Sequence, residues 1–401
     1  MTPPAGGTGP GGTPAHVRTA RRVEEGALAW VSAHREHFAL GADALAPDGA
    51  VNGSWKPLGE LARVCASLSP LTPPRDPLHA PVRDLLAYAW RQTGEGELFA
   101  RLQRLEPFAT YPLEVYAAFA SAGLRHPGYE AAAATVARSR GWQLAEQDPT
   151  RRLGVLAAER RIGLHRHGDD HGRHGDDRRH HDAHGHDAPG HDGVRPHDGV
   201  RPHDGVRRSL GRTWLGGLPE PWAFERFSGY ALTHVVFHLT DWGRRPAGVP
   251  ADLREYLADW LPAWLDTCLD AGMWDLGCEL LAVAASLPEP LSPAAAGHAW
   301  DRIAAARHAG GALPEQRGSG TADPAPPGAP SEPVRSEPVP FEPVPFEPAR
   351  SEPAASGPAP DFPHCYHSTL MAAFAAALTV GQHHRGNGGP APYVRPEGAL
   401  G

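Results

Sequence analysis

The stretch LGCELLAVAASLPEP (residues 276–290) sets the pattern from which the fold is predicted. Its apolar residues recur at every third or fourth position, which is the spacing of a buried helix face, and its prolines end the helix. Two further stretches have the same plan, LGELARVCASLSPL (58–71) and LEVYAAFASAGLRHP (113–127). Each is followed by a second amphipathic stretch, so the repeated unit is a helical hairpin of about 35–50 residues.

Helical periodicity extends through the rest of the folded chain, and strand-like alternation is absent. The helical segments are 17–40, 57–68, 79–94, 113–123, 128–141, 149–163, 226–242, 251–271, 275–287, 292–309 and 364–380. First helices that are apolar almost all round belong to a buried inner layer, and their amphipathic partners to an outer layer. We predict an all-α fold of about five or six hairpins that form an α/α toroid. An open α-solenoid and an irregular bundle are the alternatives.

Low-complexity segments flank and interrupt this helical domain. They lack the apolar content that a packed core needs, and two of them are short tandem repeats, so we predict that they are disordered. The segments are 1–16, a His-rich insert at 165–210, a Pro-rich insert at 315–361 and a tail at 385–401. The helical domain is then expected in 17–164, 211–314 and a final helix at 362–384.

Composition excludes several classes of protein. The net charge of −8 is spread along the chain, so no basic patch predicts nucleic-acid binding. The four cysteines lie far apart without a CxxC motif, which argues against a disulfide framework. No signal peptide and no apolar run long enough for a membrane span is present, so we expect a cytoplasmic protein that does not bind membranes. Lys56 is the only lysine among 38 Lys plus Arg, a bias that resembles GC-rich, actinobacterial coding.

The segment GYALTHVVFHLTDWG (229–243) carries the first candidate site. His234 and His238 are four residues apart, and Asp241 follows one turn later, so all three share one side of a helix. They are suited to bind a metal ion together or to act as an acid–base pair with an orienting carboxylate. The alternative interpretation is structural: Asp241 anchors the turn at Gly243, and core hydrogen bonds satisfy the histidines.

Polar and reactive residues also cluster near the starts of the other proposed inner helices. If these helices run parallel, their starts meet at one mouth, where helix N-termini favour an anionic ligand. The alternative is that helix starts are polar because caps are needed. We predict a central polar and aromatic cavity for a small molecule or peptide. Its candidate residues are Trp55, Lys56, Glu60, Tyr230, Thr233, His234, His238, Asp241, Asp275, Cys278, His367 and Ser368.

Two resemblances extend this interpretation. FPHCYHSTLMAAFAAAL (362–378) resembles the YHT-containing helix of protein prenyltransferase β-subunits, which are α/α toroids with a zinc ion. That resemblance implies Zn²⁺ at His367, Asp275 and Cys278, although the carboxylate and thiol are three residues apart here rather than two. WKPLGEL, THxxFxxTDxG and YHST together resemble an actinobacterial family of uncharacterised proteins, which implies a domain of unknown function.

Three functions therefore remain open from the sequence. The first is a helical protein that binds a small molecule or peptide in its central mouth. The second is a zinc-assisted enzyme that acts on a peptide or an isoprenoid-like substrate. The third is a structural interaction protein. The His-rich insert, with 11 histidines in residues 165–207, is in addition able to bind Ni²⁺, Zn²⁺ or Cu²⁺ loosely.

Overall fold

The computed structural model describes residues 13–41, 44–45, 55–164, 202–318 and 361–386, and the predicted inserts fall largely outside these residues. Within the described ranges all secondary structure is helical and no strand occurs, which confirms the all-α prediction. The helices are α1 (Ala15–Ala33), α2 (Lys56–Leu68), α3 (His79–Gln92), α4 (Glu97–Leu105), α5 (Tyr111–Ser121), α6 (Pro127–Ala137), α7 (Arg140–Leu144), α8 (Pro149–Ile162), α9 (Pro202–Leu210), α10 (Arg226–Leu239), α11 (Ala251–Asp270), α12 (Trp274–Ser286), α13 (Pro293–Ala306) and α14 (Tyr366–Gly386).

Most helices begin and end close to the predicted bounds, because the chain carries ordinary start and stop signals. The side chains of Asp148 and Ser292 accept hydrogen bonds from backbone amides three residues later, at the starts of α8 and α13. Pro149 and Pro293 follow at the first helical position, where the missing N–H has no partner to lose. Gly163 ends α8 in the left-handed conformation, with φ of 79°.

Two helices were not predicted. The short helix α4 follows α3 after a tight Gly-Glu-Gly turn, which reads as a loop in the sequence. The helix α9 occupies the last residues of the segment 165–210 that was predicted to be disordered. The predicted segment 128–141 is split into α6 and α7 by Ser139, whose side chain caps α7. None of the described helices combines the length and apolarity needed to cross a bilayer.

Six of the helices contact one another in a cyclic order. α2 packs against α5, α5 against α8, α8 against α10, α10 against α12, α12 against α14, and α14 against α2. Further helices cover this set: α3 packs on α2, α9 on α8, α11 on α12, and α1 on α14. A two-layered toroid requires such an order of contacts, although the toroid itself stays a prediction.

The stretch 276–290 forms most of α12, which is part of the buried core. Every residue of α12 is buried, and α14 is buried from Ser368 to Leu378. Each fully buried leucine contributes roughly 1.5–3 kcal/mol to the free energy of unfolding. The covering helix α11 instead buries one stripe that includes Leu253, Leu257 and Leu261. Helices that are apolar all round thus lie in the buried inner set, and amphipathic helices cover them.

Glycines allow neighbouring inner helices to approach closely. A Cβ atom at Gly59 of α2 would lie 2.8 Å from Cγ2 of Val115 on α5. A Cβ atom at Gly229 of α10 would lie 2.9 Å from Cδ2 of Leu276 on α12. Both distances are shorter than ordinary van der Waals contact, so a larger residue would push these helices apart.

We expect Gly59→Ala to lower the free energy of unfolding by about 1–2 kcal/mol, because the stiff valine side chain opposite it cannot turn away. Gly297 of α13 is the matched control, since a Cβ atom there meets nothing within 4 Å. Gly297→Ala should raise stability by about 0.5–1 kcal/mol through helix propensity alone. Urea unfolding of both variants tests this prediction, and equal stabilisation by both would contradict the close approach of α2 and α5.

Candidate metal centre

His367, the second residue of α14, joins side chains from two other inner helices. Its Nδ1 lies 2.8 Å from Oε2 of Glu60 on α2. Its Nε2 lies 3.3 Å from Oε1 of Glu279 and 3.5 Å from Oδ1 of Asp275, both on α12. The contacts of α14 with α2 and α12 therefore bring one imidazole and three carboxylates together near the N-terminal ends of these helices.

Asp275 and Glu279 are four residues apart, so their carboxylates lie on the same face of α12. Both are buried, with 5% and 1% of their surface exposed. Oδ2 of Asp275 accepts a hydrogen bond of 2.8 Å from the hydroxyl of Tyr230, and Oε2 of Glu279 accepts one from the hydroxyl of Thr233. Each carboxylate thus has one oxygen held by α10 while the other faces His367. Oδ1 of Asp275 is buried and accepts no hydrogen bond.

These three side chains form a group with the spacing of metal ligands. One donor atom from each of Asp275, Glu279 and His367 lies within 4.8 Å of the other two. Imidazole nitrogen and carboxylate oxygen are both ligands of Zn²⁺ and of other divalent transition ions. Glu60 is not part of this group. It contacts the other imidazole nitrogen, Nδ1, of His367, and metal-binding histidines are commonly oriented by such a carboxylate.

Two partly exposed basic side chains lie beside the group. Nε2 of His234 lies 3.9 Å from Oε1 of Glu279, and 51% of the His234 side chain is exposed. Nζ of Lys56 lies 3.9 Å from Oε1 of Glu60, and 54% of its side chain is exposed. An imidazole and an ammonium, each about half exposed, therefore lie next to the buried carboxylates.

The buried charges shift one another's pKa values. Burial, together with the charge of Glu279, raises the pKa of Asp275 to about 6. Burial opposes ionisation of Glu279 as well, but hydrogen bonding to His367 and the charge of His234 lower its pKa. Burial disfavours the charged imidazole of His367, yet the charges of Glu60 and Asp275 raise its pKa well above 6.5. At neutral pH the group therefore retains a proton that a divalent cation would displace.

Among the described residues, His234, His238 and Asp241 do not form a group with the spacing of metal ligands. The rings of His234 and His238 are 6.4 Å apart, centroid to centroid. Asp241 has a positive φ of 52° and accepts a hydrogen bond of 2.9 Å from Nε of Arg161 on α8. This contact fits the alternative in which Asp241 anchors the turn. His238 is buried next to Gly154, and Nδ1 of His238 makes no hydrogen bond.

Three other candidates have structural contacts. Trp55 is buried, and its Nε1 donates a hydrogen bond of 2.7 Å to the carbonyl of Ala44. Ser368 is buried and donates to the carbonyl of Leu313 at 2.5 Å. Cys278 is fully buried, and burial raises its thiol pKa well above 9.0. The predicted thiol ligand lies outside the donor group, where Glu279 stands in its place.

A family model described as a domain of unknown function, DUF6895, matches residues 24–176 and 194–377. These two segments make up well over half of the chain. The chain belongs to the DUF6895 family. The expected membership of an uncharacterised family is thereby confirmed, and all the residues that meet at His367 lie in the matched segments. No curated protein and no solved structure matches the chain.

Within this DUF6895 domain, Glu279 belongs to the polar residues near the start of an inner helix, together with Asp275 and Cys278, but the sequence alone did not single it out as a ligand. It stands inside the apolar stretch 276–290, where a single glutamate resembles an incidental polar residue. Its spacing of four residues from Asp275 was a usable signal, because i and i+4 carboxylates project from one helix face. Its contact partner His367 lies 88 residues further along the chain, and only the packing of α12 against α14 brings Glu279 and His367 together.

Proposed function

We propose that this protein is a divalent-metal-dependent enzyme whose ion is held by Asp275, Glu279 and His367. The observation that carries the proposal is the buried Oδ1 of Asp275, which accepts no hydrogen bond and lies 3.5 Å from Nε2 of His367. A buried carboxylate oxygen without a donor is costly unless a cation binds it. Distances of 3.3 and 3.5 Å from Nε2 to the two carboxylate oxygens suit atoms that share one ion.

The donor set favours a borderline transition ion over an alkaline-earth ion. One imidazole and two carboxylates suit Zn²⁺ or Mn²⁺, whereas Ca²⁺ and Mg²⁺ prefer oxygen donors alone. In this arrangement Nε2 of His367 binds the ion, and its Nδ1–H donates to Glu60. The sequence-based interpretation of a zinc site is therefore retained with Glu279 in place of Cys278.

Three protein ligands leave coordination positions free, as in catalytic rather than structural sites. A divalent ion here supplies Lewis-acid activation of an oxygen atom in a substrate or in water. His234 is half exposed and lies 3.9 Å from Glu279, so it is placed to accept or donate a proton. Lys56 is placed to offset negative charge on a bound substrate. These roles fit hydrolysis or a related acid–base reaction on a small molecule or peptide.

The cyclic order of helix contacts supports a position for this centre within the whole fold. If α2, α5, α8, α10, α12 and α14 close a toroid, the first two turns of at least four of these helices line one mouth. Glu60, Tyr230, Asp275 and His367 come from the N-terminal halves of four such helices and are joined by direct contacts. The proposed cavity is this mouth.

A charge network without metal is the competing interpretation. His367 already contacts Glu60 and Glu279, and a protonated imidazole would offset part of the carboxylate charge. The two interpretations differ in metal content, so we propose a comparison of the full-length wild-type protein with Glu279→Gln after equilibration with Zn²⁺. At a free Zn²⁺ concentration that only just fills the wild-type site, we expect the variant to bind one ion fewer per chain, because the loss of one ligand of three weakens binding by about 100-fold.

The control for this comparison is Asp266→Asn on α11. Its carboxylate lies 3.4 Å from Nε2 of His298 in a comparable but exposed pair. This control should bind as many ions as the wild type, and the His-rich insert contributes equally to all three proteins. Equal zinc content in Glu279→Gln and the wild type would exclude the metal centre and leave the charge network.

The orienting role of Glu60 gives a separate prediction. Glu60→Ala should weaken Zn²⁺ binding by about 10–100-fold, the usual effect of losing the carboxylate behind a metal-binding histidine. Lys56→Gln removes the ammonium near Glu60 but leaves the hydrogen bond to Nδ1 of His367, so it should not weaken binding. Competition titration with a zinc chelator measures both constants, and a larger loss in Lys56→Gln than in Glu60→Ala would refute the assigned role.

A further inference from the structure

The most exposed aromatic side chain among the described residues lies on α10, the helix that holds Asp275 and Glu279 through Tyr230 and Thr233. Phe227, the second residue of α10, has 86% of its surface in solvent. Trp222, in the turn before this helix, is 82% exposed. Large apolar side chains are normally buried, and exposed aromatic groups close together commonly mark a binding surface.

Phe227 shares one face of α10 with residues of the centre. Phe227, Tyr230 and His234 follow at i, i+3 and i+7, so they form a single row about 10 Å long. Tyr230 donates its hydroxyl to Asp275, and Nε2 of His234 lies 3.9 Å from Glu279. The row therefore leads from an open aromatic ring at the start of the helix to the buried carboxylates.

One cationic side chain lies against this row and another lies against the carboxylates of the centre. The guanidinium of Arg226 lies 5.9 Å from the ring centre of Tyr230, and the ammonium of Lys56 lies 3.9 Å from Glu60. A cation bound at the carboxylates would add to these charges. With a cation bound at the carboxylates, a ligand that follows the row would meet positive charge at its inner end and the apolar ring of Phe227 at its outer end.

We propose that the ligand of the metal centre is a small amphiphilic acid. Its oxygen-donor head group lies at Asp275, Glu279 and His367, and its apolar tail lies on Phe227. This inference rests on the proposed function, because the head group requires the ion. Beyond the proposed function, it specifies the class of substrate: a molecule with an apolar group about 10 Å from its oxygen donor.

The test uses two hydroxamic acids, since hydroxamates chelate zinc and mimic an acidic head group. Acetohydroxamic acid has no tail, and 4-phenylbutyrohydroxamic acid carries a phenyl ring on a flexible chain. With the zinc-loaded full-length protein, we expect the phenyl compound to bind about tenfold more tightly than acetohydroxamic acid. In Phe227→Ser this ratio should fall below about threefold, while the affinity for acetohydroxamic acid and the zinc content stay unchanged.

Trp260→Ser on α11 is the matched control, because it removes an aromatic ring that is 39% exposed on a covering helix. This control should retain the full ratio. A ratio that is the same in Phe227→Ser and the wild type would overturn the inference, as would a ratio near one in the wild type. Loss of binding to anionic phospholipid vesicles in Phe227→Ser, with no effect of the tail, would instead assign the ring to a membrane surface. If acetohydroxamic acid binds the wild type no better than Glu279→Gln, the proposed function itself fails.

Discussion

Asp275→Asn is expected to lose at least about 100-fold in affinity for Zn²⁺ or Mn²⁺ and, without metal, to be more stable than the wild type at pH 8. The amide keeps an oxygen for the hydroxyl of Tyr230 but removes a buried negative charge. The pKa of Asp275 is raised to about 6, from an ordinary value of 3.8, so ionisation of this carboxyl opposes folding above pH 6. Relief of that penalty amounts to about 1–3 kcal/mol.

Opposite effects on stability and metal binding distinguish a ligand from an ordinary core residue. Chemical unfolding with and without Zn²⁺ measures both: metal should raise the unfolding free energy of the wild type and leave that of the variant nearly unchanged. Asp266→Asn, from the exposed pair on α11, should behave as the wild type does. A variant that is destabilised without metal and still stabilised by metal would show that Asp275 is a structural acceptor only.

Metal binding is expected to weaken by about 100-fold or more between pH 8 and pH 5.5. The charges of Glu60 and Asp275 raise the pKa of His367 well above 6.5, so below that pKa the ion must displace a proton from its imidazole. Below pH 6 the ion must also displace a proton from Asp275. Both protons stabilise the metal-free fold at low pH: the raised pKa of His367 favours folding below that pKa, and protonation of Asp275 removes its penalty.

Calorimetric titration of Zn²⁺ into the full-length chain at several pH values measures this dependence. The His-rich insert also loses affinity for metals when its imidazoles become protonated, so titration of Glu279→Gln at each pH supplies the background. After subtraction, the tight site should release at least one proton per ion at pH 7. A background-corrected affinity that is the same at pH 5.5 and pH 8 would contradict the assignment of His367 and Asp275 as ligands.

The sequence was a good guide to the helices and a partial guide to the site. Apolar periodicity located α12 and α14 because they are buried on all sides, and it distinguished α11 as a covering helix because one stripe alone is apolar. It missed α4, where a Gly-Glu-Gly turn hides the break between two helices, and α9, whose residues continue a low-complexity repeat. Both helices are amphipathic but only nine residues long, which is shorter than the stretch of about 11–18 residues over which periodicity is recognised.

The candidate site shows the same limit. Lys56, Glu60, Tyr230, Asp275 and His367 were selected because unusual residues stand near helix starts, and they do meet. Their pairing depends on contacts between helices that are distant in sequence, as in the 307 residues between Glu60 and His367. Side chains one residue apart point about 100° apart around a helix. The choice between Cys278 and Glu279 therefore depended on which face of α12 packs toward His367, and the sequence does not show this.

Anomalous X-ray diffraction from crystals of the full-length protein equilibrated with Mn²⁺ or Zn²⁺ tests the central claim most directly. We expect one strong anomalous peak within bonding distance of Nε2 of His367, Oδ1 of Asp275 and Oε1 of Glu279, with Glu60 still on Nδ1. Crystals that bind the metal at other positions, while His367 keeps its contacts with the carboxylates and no peak lies between them, would contradict the account.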